Sequence, residues 1–335
     1  MGRDDAGRAR LGPHVVSARV HGGPDARGAV RWDFSTNANA CGPCPGALQA
    51  VREADVTRYP DPAYAALRES LAKRHGVDVR RIVIAGSGSE FIFRFTAWAA
   101  RQVRVVSVPE FAYGDYAAAA AAHDLDTERR TVGTSAHRSM LTWLCDPSSP
   151  LGQADPATPR ELTIIDLAYE PLRLSGAPRC DLDTLWQLWT PNKALGLTGV
   201  RGAYAIAPAS AGDAVTELEA LAPSWVLGAH GAAMLASWCE AETHAWLQAS
   251  LQKLREWKQR QVELVAAFGW KVQASGANFF TCEVGPRAAA IAADLRGYGV
   301  QVRDCTSFGL AGYWRLGVRP PDAQDALLRA CQELR

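Results

Sequence analysis

Ile82-Val-Ile-Ala-Gly-Ser-Gly-Ser-Glu90 carries four apolar residues into a Gly/Ser turn, and Phe91-Ile-Phe-Arg-Phe-Thr-Ala-Trp98 follows at once. A short apolar run, a tight turn and a helical stretch make a strand–helix unit. Outward from it, apolar runs at 103–108, 141–145, 162–165 and 203–206 read as further strands. Residues 64–75, 90–100 and 113–122 read as helices between them. Alternation at this spacing predicts an α/β fold with a mostly parallel sheet covered on both faces. Runs without a period of two suit strands buried on both sides. After Pro208 helices are expected at 213–221, 225–238 and 240–268, the last a long amphipathic one stopped by Gly269. Strands at 279–284, 300–303 and 313–318 and helices at 288–298 and 322–334 then predict a smaller α+β unit. The expected division is an N-terminal arm over 1–35 joining the small domain, a large domain over 36–239 and the small domain over 240–335.

Composition narrows the function. The chain has 335 residues, and Lys+Arg 36 against Asp+Glu 35 leave a formal net charge of +1. That balance lacks the basic footprint of a nucleic-acid binder. No run of about 18 apolar residues is present to suggest a membrane span. The charged 1–10 stretch lacks an apolar run behind it, so a cytoplasmic protein is expected. Eight cysteines in so long a chain do not make a disulfide framework. Cys41 and Cys44 form a CxxC without a second ligand pair, and no metal is expected.

Four segments carry candidate chemistry. The 86–90 turn opens a helix whose backbone N–H groups could cradle a phosphate; a plain tight turn fits the same residues. It is not a Walker loop, and Phe91 stands where a dinucleotide fingerprint needs its third glycine. Asp166, in Asp166-Leu-Ala-Tyr169, closes an apolar strand, where α/β sheets bind ligands and where helix N-caps also fall. Only five of the 36 basic residues are lysines, and Lys193 alone sits among small and apolar neighbours, in Thr190-Pro-Asn-Lys-Ala-Leu-Gly-Leu-Thr-Gly-Val-Arg201. Such a lysine could lose its proton and attack an aldehyde, or be an ordinary surface charge. Arg315 follows two aromatics in a strand pattern, which suits either a carboxylate grip or an internal salt bridge. Arg303 accompanies it.

Taken in order, the Gly/Ser turn, Cys145-Asp-Pro-Ser-Ser-Pro-Leu-Gly152, Asp-x-Ala-Tyr, Lys193 with Arg201 eight residues on, and Arg315 resemble the fold-type I pyridoxal-phosphate (PLP) enzymes. The resemblance runs from about His21 to the end. It is closest to the branch holding histidinol-phosphate aminotransferase and cobalamin-pathway threonine-phosphate decarboxylase. His21-Gly-Gly, Asp33-Phe-Ser-Thr-Asn-Ala-Asn39, Gly42-Pro43, Arg58-Tyr-Pro-Asp61 and Val302-Arg-Asp-Cys-Thr-Ser-Phe-Gly-Leu310 look most like the decarboxylase.

The resemblance implies pyridoxal 5'-phosphate as cofactor, joined to Lys193 as a Schiff base. Asp166 would pair with the ring nitrogen and Tyr169 with the ring oxygen. The amides of Ser89 and Glu90, the Thr190 hydroxyl and Arg201 would hold the phosphate. Tyr59 would reach in from the second subunit of a homodimer with shared sites. Asn37, Arg303 and Arg315 would bind a small phosphorylated amino acid, Arg315 at its carboxylate and Arg303 at its phosphate. Three positions depart from the pattern. Ser149 replaces an asparagine that contacts the cofactor, Gly114 stands where a stacking aromatic belongs, and Leu167 replaces a common acidic residue. Tyr113 is preferred to Tyr116 for the stacking role.

A substrate carboxylate held in the ring plane leads to transamination, and one turned out of plane to decarboxylation. The implied reaction is decarboxylation of L-threonine O-3-phosphate in cobalamin biosynthesis. The alternatives are an aminotransferase of histidinol phosphate or a related amino acid, and a non-catalytic binding protein of the same fold. A nicotinamide dehydrogenase stands furthest off, because of Phe91.

Overall fold

Ser87 starts the helix that decides the fold: its side chain accepts the Glu90 N–H at 3.0 Å, a cap worth about 1 kcal/mol. The strand before it is Ile82–Ala85 and the helix is Gly88–Ala99. This computed structural model describes residues 21–130, 140–156 and 158–334.

Seven strands form the large sheet, in the order Ile82–Ala85, Ala203–Ile206, Trp186–Trp189, Thr163–Asp166, Met140–Cys145, Val105–Pro109 and Asp126–Arg130. All pair in parallel except Ala203–Ile206, which runs antiparallel to both its neighbours. The expected mostly parallel sheet is therefore present, with one reversed strand. Alternate residues serve two cores. Ile82, Ile84, Tyr204 and Ile206 face one side, and Val83, Ala85, Ala203 and Ala205 the other. Two strands escaped the sequence pattern. Trp186–Trp189 holds a buried Gln187, and Asp126–Arg130 is a polar edge whose charges discourage pairing with another chain.

The smaller sheet orders Arg303–Asp304, Tyr313–Gly317, Phe279–Glu283 and Lys271–Val272, all antiparallel. The single strand expected at 300–303 is divided. Val300–Gln301 leaves to pair in parallel with Trp32–Asp33, while Arg303–Asp304 stays in the sheet. Phe34 is thereby fully buried beside Phe280, Trp314 and Leu316.

Ala241–Ala267 is one helix of 27 residues. Leu247, Leu251 and Leu254 pack into the core of the large sheet, and Val265 into that of the small one. The helix expected from 225 starts only at Ala229, because Trp225 has a φ of 50° and cannot extend it. Arg319 fastens the 33–38 segment to the small unit by donating to the carbonyls of Asp33, Thr36 and Ala38. No helix among the described residues is long and apolar enough to cross a membrane.

Candidate active site

The Thr163–Asp166 strand delivers Asp166 to the carboxyl edge of the sheet, between Cys145 and Leu188 in register. Its carboxylate is buried and held at both oxygens. Tyr116 donates to Oδ2 at 2.7 Å and the Ala168 N–H to Oδ1 at 2.9 Å. Burial pushes the Asp166 pKa up; the Tyr116 and Ala168 hydrogen bonds and the Lys193 charge pull it back. Lys193 follows the Trp186–Trp189 strand, anchored by the fully buried Ala194 and Leu195. Its carbonyl accepts the Asn39 N–H at 2.9 Å. The turn closes at Gly196, whose φ is 68° and where a Cβ would meet the Gly42 carbonyl oxygen at 2.6 Å. Lys193 Nζ stands 5.4 Å from the centre of the Tyr169 ring. Asn37 donates to the Tyr169 hydroxyl at 3.2 Å, and its own Oδ1 is buried without a partner. Lys193, Asp166, Tyr169 and Asn37, spread over 156 positions of sequence, thus share one place.

Beside them a cavity of about 780 Å³ is lined by His21, Ser89, Glu90, Arg94, Tyr113 and Arg201, among others. Thr190 packs against Gly88 at the start of the helix that Ser87 caps, 6% exposed, with no hydrogen-bond partner for its hydroxyl among the described residues. A Cβ on Gly88 would lie 2.7 Å from the Thr190 methyl, so only glycine fits there. The Glu90 amide, expected at a phosphate, is instead given to Ser87 Oγ, which leaves the Gly88 and Ser89 amides at the helix tip. An unsatisfied hydroxyl, free first-turn amides and the exposed Arg201 guanidinium compose a fitting phosphate cradle. Tyr113 lines the cavity, its hydroxyl 3.1 Å from Ser89 Oγ. Tyr116 does not: it is fully buried and stacked on Trp143 at 4.8 Å. Sequence reasoning weighed Tyr116 only as a stacking ring and missed its bond to Asp166.

Arg303 and Arg315 are cross-strand neighbours, both nearly buried. Arg315 Nη1 donates to Ser149 Oγ at 3.0 Å and Nη2 to the Ser35 carbonyl at 2.8 Å, while Nε has no partner. Among the described residues its charge is met by neutral oxygens, not by the salt bridge that the sequence left open. Ser149, expected on the cofactor, is engaged here with Arg315. Arg303 Nη2 donates to Ser307 Oγ at 2.6 Å, and burial and the Arg315 charge push its pKa down. Tyr59 stands elsewhere, 76% exposed and stacked on Trp225 at 4.3 Å. No group of three His, Cys, Asp or Glu among the described residues could hold a metal ion.

Residues 160–334 match the family model described as aminotransferase class I and II. Over 90% of its length the chain is 30% identical to histidinol-phosphate aminotransferase 2 of Burkholderia mallei, covering 91% of that protein. Among solved structures it is similar to histidinol-phosphate aminotransferase of Sinorhizobium meliloti in complex with pyridoxal-5'-phosphate. The TM-score is 0.80 at 20% identity, over 98% of this chain and 100% of that one. L-threonine-O-3-phosphate decarboxylase of Porphyromonas gingivalis gives a TM-score of 0.72 at 22% identity, over 89% of this chain and 99% of that one. At such identities these two likenesses speak to the fold alone.

Proposed function

Because the chain belongs to the class I and II aminotransferases and carries the fold-type I architecture, we propose that it is an aminotransferase of histidinol phosphate or a related phosphorylated amino compound. Its cofactor is pyridoxal 5'-phosphate. The observation that carries the reading is the Lys193 amine poised over Tyr169, with its charge acting on the buried Asp166.

When bound, the cofactor supplies an electron sink conjugated to the substrate's Cα. Lys193 is the amine that would hold its aldehyde and later carry a proton to and from that Cα. Asp166, kept in place by Tyr116 and the Ala168 N–H, would hold the proton on the ring nitrogen. Tyr169, itself positioned by Asn37, would hydrogen-bond the ring oxygen. The Thr190 hydroxyl, the Gly88 and Ser89 amides and Arg201 would bind the phosphate, and Tyr113 would cover the ring. Arg315 and Arg303 would bind the substrate's anionic groups. Two chains would pair, with Tyr59 of each reaching the other's site, and residues 21–35 of the expected 1–35 arm would belong with the small domain, residues 1–20 lying outside the described residues.

The sequence-based preference for decarboxylation has less support than this alternative, since the relative matched over 90% of the chain is named an aminotransferase. One observation keeps a second reading. The adjacent Arg303 and Arg315 suit a substrate bearing both a carboxylate and a phosphate, as threonine phosphate does. The test incubates the purified protein with histidinol phosphate and a 2-oxo acid, and separately with O-phosphothreonine alone. Amino-acid product forming only when the oxo acid is consumed supports transamination. Carbon dioxide released from phosphothreonine without an oxo acid selects the decarboxylase instead.

A further inference from the structure

Glu90 and Arg94 lie one helical turn apart beneath the 86–89 turn, and both line the cavity that Ser89 and Arg201 face. Glu90 Oε2 accepts the Gly86 N–H at 3.0 Å, bracing the turn from inside. Arg94 Nε is 2.9 Å from Glu90 Oε1, and Nη2 reaches Glu90 Oε2 at 3.2 Å and the Ile84 carbonyl at 2.7 Å. The Arg94 side chain is only 3% exposed, an unusual setting for a guanidinium within Phe91-Ile-Phe-Arg-Phe.

A glutamate in the first turn is ordinary at a solvated helix start, where it complements the dipole. At a helix tip that must accept a phosphate dianion it is a liability, because like charges at short range repel. Glu90 cannot swing away without releasing Gly86. Arg94 resolves the conflict, since its charge sits on the same carboxylate.

We infer that Arg94 is a positioning residue for the cofactor phosphate: by neutralising Glu90 it lets that carboxylate brace the 86–89 turn without repelling the dianion. This rests on the functional reading above and goes beyond it, to the charge balance of the cradle. The pair acts as a unit, and its two halves have opposite signs.

The full chain, freed of cofactor, is titrated with pyridoxal 5'-phosphate and with pyridoxal, which has the same ring and aldehyde but no phosphate. Binding is followed by quenching of tryptophan fluorescence. Arg94→Met is expected to weaken pyridoxal phosphate about ten-fold or more, while pyridoxal stays within about two-fold. Adding Glu90→Gln to it restores most of that loss. Glu90→Gln alone tightens pyridoxal phosphate by about three-fold or more and leaves pyridoxal unmoved. Should Arg94→Met fail to fold, the Glu90→Gln arm decides by its sign, because a merely structural glutamate would weaken both ligands. Equal losses for both aldehydes, or no recovery in the double variant, overturn the inference and leave the functional reading intact. A wild-type chain that binds neither aldehyde overturns the functional reading and this inference with it.

Discussion

Tyr116 donates its hydroxyl to Asp166 Oδ2 at 2.7 Å from a fully buried ring, 50 residues away in sequence. Burial raises the Asp166 pKa, and this hydrogen bond is the strongest of the influences that lower it. In Tyr116→Phe the pKa rises further, so at any given pH less of Asp166 is ionised. The acid limb of the kcat/KM profile should then move to higher pH, with turnover at neutral pH falling about ten-fold. A profile identical to that of the wild type would detach Asp166 from the chemistry.

Lys193→Ala should abolish turnover. Borohydride treatment of the wild type should fix the cofactor on the Lys193 peptide, as read by mass spectrometry, and the variant should carry no such mass. Residual catalysis within ten-fold of the wild type, by about one log unit of rate, would reject the assignment.

Thr190→Val separates binding from folding. The buried Thr190 hydroxyl lacks a partner, so a valine of the same shape should leave the melting temperature of the cofactor-free protein unchanged or raise it. Cofactor affinity should fall about ten-fold, the worth of one hydrogen bond to a charged acceptor. A variant that melts lower yet binds pyridoxal phosphate normally would place the hydroxyl in the fold instead.

His75 gives a stability prediction. Its Nε2 lies 2.8 Å from the Tyr204 hydroxyl, and burial holds its pKa down to about 4 from an ordinary 6.5. Between those values the unfolded chain takes up the proton more readily than the folded one. The contribution is therefore complete above pH 6.5 and is lost as the pH falls toward 4, by up to about 3 kcal/mol. Denaturant titrations at pH 7 and 4.5 should show that loss in the wild type and a smaller one in His75→Gln. The remainder belongs in part to His244, whose pKa burial also lowers. Equal losses in both proteins would contradict the assignment.

Much of the site was legible because its residues punctuate regular patterns. Asp166 ends an apolar strand, and Lys193 stands without a charged neighbour until Arg201. Contacts that depend on how elements pack were not legible. Tyr116 reaches Asp166 only because the Gly114–Ala121 helix lies across the sheet. The adjacency of Arg303 and Arg315 follows from register, as does the diversion of Val300–Gln301 to Trp32–Asp33. The fate of the Glu90 amide was hidden too, since Ser87 can take it only once the helix has formed. Trp186–Trp189 and Asp126–Arg130 were missed as strands because a glutamine and a run of charges broke their apolar signal.

Phe34 is clamped on both sides, its N–H given to the Gln301 carbonyl at 2.7 Å and its own carbonyl receiving the Gly317 N–H at 2.8 Å. During synthesis the large sheet has all its strands once Ile206 has emerged, but Phe34 must wait more than a hundred further residues for its berth. A ring made before any strand of the large sheet therefore stays uncovered until the Tyr313–Gly317 strand leaves the ribosome. The price of stitching the two chain regions together is a late and vulnerable assembly step, at which a holding chaperone would have something to grasp.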